Sequence, residues 1–174
     1  MTSPIRRALD ALYAAAGVAA AACLVLILVV IVLQMAARWA GVTFPGSAEY
    51  AGYLMASASF LAFSSALNAG SHIRVGLFLT ALGEKRFWGE LWCLLIASAA
   101  STYLAWYAIR AVYWSYKLGD VSQGQDATAI WIPQVPMAAG AVLLAVCFLD
   151  NLVTLLVTRN DNIRPGTFDQ PGAE

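Results

Sequence analysis

The fold of this chain is decided by residues 11–37, which read ALYAAAGVAAAACLVLILVVIVLQMAA and contain no Asp, Glu, Lys or Arg. Three further windows without these charges follow at residues 50–73, 91–109 and 127–149. By counting, the four windows hold 27, 24, 19 and 23 residues. At about 1.5 Å of rise per residue, a helix over each window can cross a hydrocarbon core of roughly 30 Å. The sequence therefore predicts an all-α, polytopic integral membrane protein.

The composition leaves no room for a large aqueous domain. Hydrophobic residues make up 61% of the 174 residues and charged residues only 11%, whereas a soluble domain carries about 25% charged residues. The predicted spans are residues 12–37, 49–71, 88–112 and 130–157, within one membrane domain over residues 1–158. The polar tail over residues 159–174, with two prolines and two glycines, is predicted to be disordered.

A secretory signal peptide is the first alternative for the N-terminus, because Arg6 and Arg7 precede the apolar run. The apolar core of a signal peptide spans about 7–15 residues. The run here is much longer, so we expect it to be retained as the first span.

The basic residues predict the orientation, because short cytoplasmic loops carry an excess of Lys and Arg. With the N-terminus inside, seven of these residues fall on the cytoplasmic side and three outside. Both termini are therefore predicted to be cytoplasmic. The inner seven are Arg6, Arg7, Arg74, Lys85, Arg86, Arg159 and Arg164.

The segment between the second and third spans mixes apolar and charged residues. The apolar residues Ile73, Val75 and Leu77 lie around Arg74, and the charged run 84–86 follows. This pattern favours a short amphipathic helix lying in the headgroup region. The alternative is an ordinary loop folded over the helices.

Small residues recur at helical spacing inside the spans. Because the hydrophobic effect does not draw helices together in lipid, close backbone approach over small side chains is a main source of their association. These positions are predicted to contact other helices, with packing inside the chain as the default. They are Gly52 with Ala56, Ala97 with Ser101 and Ala105, and Ala141 with Ala145.

The residues argue against several kinds of catalysis. A membrane cytochrome usually needs paired histidines, and His72 is the only histidine. Cys23, Cys93 and Cys147 are single residues in three different spans, which is typical of small core residues. No Walker, zinc-helix or Gly-x-Ser-x-Gly motif occurs. The sequence predicts no enzyme and no cofactor.

Charge is also missing from the middle of the spans, where a proton-coupled exporter would need a carboxylate. Gln34 and Asp150 lie near span ends, so Asp150 is interpreted as an interfacial carboxylate. Two ion pairs are hypotheses from the sequence: Arg38 with Glu49, and Asp150 with Arg74 or His72.

Three segments in their order and spacing resemble one family. They are Gly46-Ser47-Ala48-Glu49-Tyr50 at the start of the second span, His72-Ile73-Arg74-Val75 after it, and residues 130–136, IWIPQVP, with Gly140 in the fourth. Over residues 10–158 the chain resembles the small, DctQ-type membrane subunit of tripartite ATP-independent periplasmic (TRAP) transporters. It departs from the family in having Gly76 where an acidic residue often follows the second segment.

The resemblance implies a scaffold subunit in a bacterial inner membrane. Its implied partners are a large, DctM-type membrane subunit, which would import an organic acid or similar solute with sodium, and a periplasmic, DctP-type binding protein, which would capture that solute. Membrane lipids are also expected partners, and nucleic acid is not. Candidate residues for partner contact or anchoring are Glu49, Tyr50, Gly52, His72, Arg74, Ser101, Trp131, Pro136, Gly140 and Asp150.

Two other classes stay open from the sequence alone. An independent small transporter would place Gln34 or Asp150 on a solute path. A structural subunit of an unrelated membrane complex would bind other proteins and have no transport role. The transported solute is not encoded in recognisable residues of this chain.

Overall fold

The computed structural model describes residues 4–68, 86–125 and 127–158, and within them the chain forms four helices. All four are long and apolar enough to cross a membrane, which confirms the predicted all-α fold with four spans. The helices are α1 (Pro4–Trp39), α2 (Ser47–Asn68), α3 (Arg86–Leu118) and α4 (Trp131–Thr158). The predicted amphipathic helix, the last residues of the second predicted span and the predicted disordered tail lie outside the described residues.

Two of the helices are longer than a bilayer core. With 36 and 33 residues, α1 and α3 extend over about 54 and 50 Å. Both continue past the predicted span ends at residues 37 and 112, because a helix does not stop where charge begins. Arg38 and Lys117 lie in the last turns, where long basic side chains can reach the headgroups and favour the helix dipole.

The helix ends at which α1 and α3 finish, and α2 and α4 begin, are here called the loop end, and the opposite ends are the terminal end. Both α1 and α3 finish at the loop end with a glycine in the left-handed region, Gly41 (φ 71°) and Gly119 (φ 67°). The N–H of Val42 donates to the carbonyl of Ala37 at 2.9 Å, and the N–H of Gly41 to that of Arg38 at 3.2 Å. These two bonds form a Schellman motif, which satisfies carbonyls that a helix end otherwise leaves free.

The helices pack in a row whose order differs from the chain order. The main contacts join α1 to α2, α2 to α4, and α4 to α3. The row is therefore α1–α2–α4–α3, with α1 and α3 at its two edges. Helices at the edge of a row leave most of their surface without a partner in the chain, and only 11% of the most apolar window of α1 is buried.

The contacts inside the row are made mainly by small side chains. Serine hydroxyls on these faces bond to carbonyls of their own helix, as from Ser57 to Tyr53 at 2.8 Å and from Ser98 to Leu95 at 2.9 Å. A hydroxyl in lipid needs such a partner, because no water replaces it. The buried small residues include Ala16 and Ala20 on α1, Ser57, Ala58 and Ser64 on α2, Ser98, Ser101 and Ala105 on α3, and Ala138, Ala141 and Ala145 on α4.

Two glycines mark the closest helix approaches. A Cβ at Gly140 would lie 2.5 Å from the backbone carbon of Phe60 and 2.8 Å from the backbone nitrogen of Leu61. A Cβ at Gly17 would lie 2.6 Å from the Oγ of Ser65. At Gly140 the neighbour is backbone and has no rotamer to change. The α2–α4 contact therefore requires glycine at this position, because its side chain is a single hydrogen atom.

We expect Gly140→Ala to destabilise the chain by about 1–3 kcal/mol, because α2 and α4 must separate to admit the methyl group. Thermal unfolding of the purified protein in detergent measures the loss. Gly52→Ala is the matched control, since nothing lies within 4 Å of a Cβ there and alanine is the better helix former. Equal melting temperatures for the two variants would contradict the close approach.

Candidate partner-binding surfaces

The described residues offer polar interactions at the helix ends but no grouped metal ligands. No set of three His, Cys, Asp or Glu residues within residues 4–68, 86–125 and 127–158 could hold a metal ion.

The three cysteines have different environments. Cys147 is buried, Cys23 is partly buried and Cys93 is exposed. The interpretation of all three as core residues is wrong for Cys93, because α3 is an edge helix and turns this residue away from α4.

A small core closes the terminal end of the row. Tyr13 of α1, Leu67 of α2 and Cys147 of α4 meet there. The amide of Asn151 donates to the carbonyl of Cys147 at 2.8 Å. The hydroxyl of Tyr13 is buried in this core. This core joins three helices, so it fixes α1 against the rest of the row.

The loop between α3 and α4 is folded into a narrow hairpin. An antiparallel bridge joins Val121 to Ala129. The N–H of Ser122 donates to the carbonyl of Thr128 at 2.7 Å, and the N–H of Ile130 to that of Asp120 at 3.0 Å. Residues 119–130 are here called the hairpin loop, and its described residues 119–125 and 127–130 therefore have a defined backbone.

Two tyrosines of α2 hold the hairpin loop from the side. The hydroxyl of Tyr53 donates to the Oγ of Ser122 at 2.7 Å, and the Oγ1 of Thr128 donates to the hydroxyl of Tyr50 at 3.2 Å. These bonds connect residues 69 and 78 positions apart. They tie the start of α2 to the loop after α3, so the loop end is one connected surface.

Aromatic rings surround the base of the hairpin loop. The rings of Tyr116 and Trp131 pack edge to face with centroids 5.5 Å apart. The Nζ of Lys117 lies 5.2 Å from the ring centre of Trp114 and 5.9 Å from that of Tyr113. Both distances suit a cation–π interaction. The rings therefore place a positive charge at the exposed end of α3.

One face of α2 is not covered by any other described part of the chain. Its exposed residues follow helical spacing and are here called the α2 stripe: Ala48, Gly52, Met55, Ser59 and Phe63. Three of the five are small. In lipid, such a face permits another helix to approach closely.

The structure separates the candidate residues into three environments. Gly140 and Ser101 are buried in the chain's own packing, and Ser101 is only 5% exposed. Tyr50 and Gly52 are exposed, while Glu49, Trp131, Pro136 and Asp150 are partly buried. His72 and Arg74 lie outside the described residues, as does the suggested pairing of Asp150 with them. A contact of any of these residues with another protein stays a prediction.

The suggested ion pair across the first loop does not form. Arg38 and Glu49 are both described, and neither has a recorded ion pair. Nearness in sequence alone does not bring the two side chains together.

Some residues of these surfaces were missed from the sequence. The sequence does not indicate that Tyr53 bonds to Ser122 or which residue lies against Gly17, because both contacts depend on which helices are adjacent. Asn151 had a usable signal, since an amide inside a predicted span needs a hydrogen-bond partner.

These features define a multi-pass helical membrane protein whose described polar groups serve packing and loop structure. The comparison with protein families gives the more particular assignment. Residues 27–158 match the family described as "Tripartite ATP-independent periplasmic transporters, DctQ component". The chain belongs to this family and is a small membrane subunit of a TRAP transporter. The comparisons with curated proteins and with solved structures give no match.

We expect Tyr53→Phe to loosen the hairpin loop, because it leaves Ser122 without its 2.7 Å partner. The expected loss is about 1 kcal/mol, visible as faster hydrogen exchange of the backbone amides in residues 119–130. Tyr50→Phe is the control, since its bond is longer and exposed. Equal exchange in the two variants would show that the Tyr53 bond does not hold the loop.

Proposed function

We propose that this chain is the scaffold subunit of an importer in a bacterial inner membrane, with both termini in the cytoplasm. In this proposal a large DctM-type subunit moves an organic acid or similar solute with sodium, and a periplasmic DctP-type protein delivers it. The small subunit would hold the large one at a fixed depth and tilt. Family membership and the absence of charge at mid-membrane in the predicted spans support this role.

The α2 stripe is the surface that we assign to the large subunit. The observation behind this is a difference among the glycines. Gly17 and Gly140 each lie against a neighbouring helix, whereas Gly52 is exposed, and a Cβ built there would have nothing within 4 Å. Glycine inside a helix costs about 1 kcal/mol relative to alanine. At Gly17 and Gly140 close helix packing offsets this cost. At Gly52 the same offset would come from packing against a helix of another protein.

Replacing Gly52 with leucine tests this assignment. We expect Gly52→Leu to reduce recovery of the large subunit with the tagged chain several-fold in mild detergent, because the side chain would separate the two helices. Quantitative mass spectrometry of the purified material measures the ratio of the two subunits.

Two variants control for changes in the chain itself. Ala22→Leu places the same side chain on an exposed position of α1 and should leave the ratio unchanged. Ser101→Leu should lower the melting temperature of the chain, because Ser101 is buried. An unchanged subunit ratio for Gly52→Leu would remove the α2 stripe from the interface, and recovery of the wild-type chain alone would remove the scaffold proposal itself.

The loop end is the surface that we assign to the binding protein. It combines a fixed hairpin loop, exposed aromatic rings and the charge of Lys117. Such surfaces resemble protein interfaces, in which aromatic residues are enriched at the centre. An acidic patch on the binding protein would complement Lys117, and charge complementarity mainly accelerates association.

We expect Lys117→Glu to raise several-fold the concentration of loaded binding protein that gives half-maximal uptake in proteoliposomes, with little change in the maximal rate. Added salt should reduce the difference between variant and wild type, because it screens exposed charges. Lys117→Arg keeps the charge and should behave as wild type. A lower maximal rate with an unchanged half-maximal concentration would argue against docking at this surface.

A further inference from the structure

A cleft opens at the loop end, beside the C-terminal end of α1. It has a volume of about 430 Å³ and is lined by the end of α1, the loop that follows and Gln125 of the hairpin loop. A smaller depression of about 220 Å³ adjoins it along α1, and Gln34 and Arg38 line both. The two form one continuous surface centred on Arg38.

The chemistry of this cleft suits an anion. No carboxylate within residues 4–68, 86–125 and 127–158 forms an ion pair with Arg38, although Glu49 lies in the first turn of the next helix. Its guanidinium is also not needed to cap α1, since the Schellman bonds already serve the last carbonyls. Five N–H donors in a planar fork match the oxygens of a phosphate group. Gln34, Thr43 and Gln125 add neutral donors to the same cleft.

The depth of Arg38 corresponds to a lipid headgroup. The charge-free window 11–37 has its centre at Leu24, and Arg38 follows fourteen positions later, which is about 21 Å along a helix. The hydrocarbon half-thickness of a bilayer is roughly 15 Å, and the headgroup region continues to about 20–22 Å. Trp39, which is 86% exposed, is the type of residue found at this boundary.

An apolar track leads from the cleft toward the membrane centre. The exposed side chains at helical spacing below Arg38 are those of Met35, Ile31, Leu28 and Leu24. All four are apolar, and α1 is an edge helix. A hydrocarbon chain extending from a phosphate on Arg38 would therefore meet a continuous apolar surface.

We propose that this cleft binds an anionic phospholipid, with its phosphodiester on Arg38 and one acyl chain along the face of α1. A zwitterionic headgroup fits less well, because its ammonium would find no carboxylate among the described residues that line the cleft. A glycerol headgroup could bond to Thr43 and Gln125. The bound lipid would fix the turn after α1 to the hairpin loop. This site shares Gln125 with the hairpin loop but includes neither Lys117 nor the rings at the base of that loop, and its lipid-binding test does not depend on the assignment of the partner surfaces.

The test measures lipid binding to the full-length chain, purified in mild detergent with any subunit that stays bound. Phosphatidylglycerol and phosphatidylcholine are each titrated, and native mass spectrometry counts the bound lipid. We expect the wild-type chain to prefer phosphatidylglycerol. Arg38→Gln should weaken its binding about tenfold, which is the loss expected for a hydrogen bond to a charged group. Arg38→Lys should fall between the two.

Arg110→Gln is the matched control. Arg110 is an exposed arginine near the loop end of α3, but it does not line the cleft. It should bind phosphatidylglycerol as wild type does. Circular dichroism shows whether each variant is folded, and Gln125→Ala, a substitution in the hairpin loop, provides a second reduction of affinity if Arg38→Gln unfolds.

Three results would overturn the proposal. The first is equal affinity of wild type and Arg38→Gln for phosphatidylglycerol. The second is equal affinity of the wild-type chain for the two lipids. The third is competition by millimolar inorganic phosphate that displaces the lipid completely, which would assign the cleft to a free anion.

Discussion

Close backbone contact between α2 and α4 is the constraint on which the rest of this structure depends. Lipid is as apolar as the helix surfaces, so burial of apolar side chains does not hold the helices together as it does in water. Dispersion contacts over small residues must do so, and they fall off steeply with distance. Gly140 lies against the backbone of Phe60, at the centre of the row. If this contact opens, the row divides into two separate helix pairs, α1–α2 and α4–α3.

The row arrangement explains why so much apolar surface remains uncovered. Among the described helices, each inner helix has two main neighbours and each edge helix has one. A closed bundle would bury one side of every helix, whereas a row leaves two broad faces and two edges for lipid or protein. Different chemistry on these surfaces suits different occupants: aliphatic residues on α1, small residues on the α2 stripe, and aromatic rings around the hairpin loop.

The two loops at the loop end are held in place by different interactions. The hairpin loop is held by its own backbone bonds and by two tyrosines of α2. The turn after α1 is fixed by a Schellman motif and then borders an open cleft. A scaffold needs a surface that keeps its shape when another protein approaches. The hairpin loop meets this need within the chain, and the cleft would meet it with a lipid bound.

The sequence by itself determined that the chain is helical, crosses the membrane four times and belongs with small TRAP subunits, because uncharged windows and local motifs are read along the chain. It also identified Ser101, Ala105, Ala141 and Ala145 as packing positions, which are buried, but not their neighbours. Only the tertiary structure decided the order of the row, the exposure of Gly52 and Cys93, and the bond from Tyr53 to Ser122. These depend on which face each helix turns to another, and in lipid most faces are apolar, so hydrophobicity alone does not distinguish them.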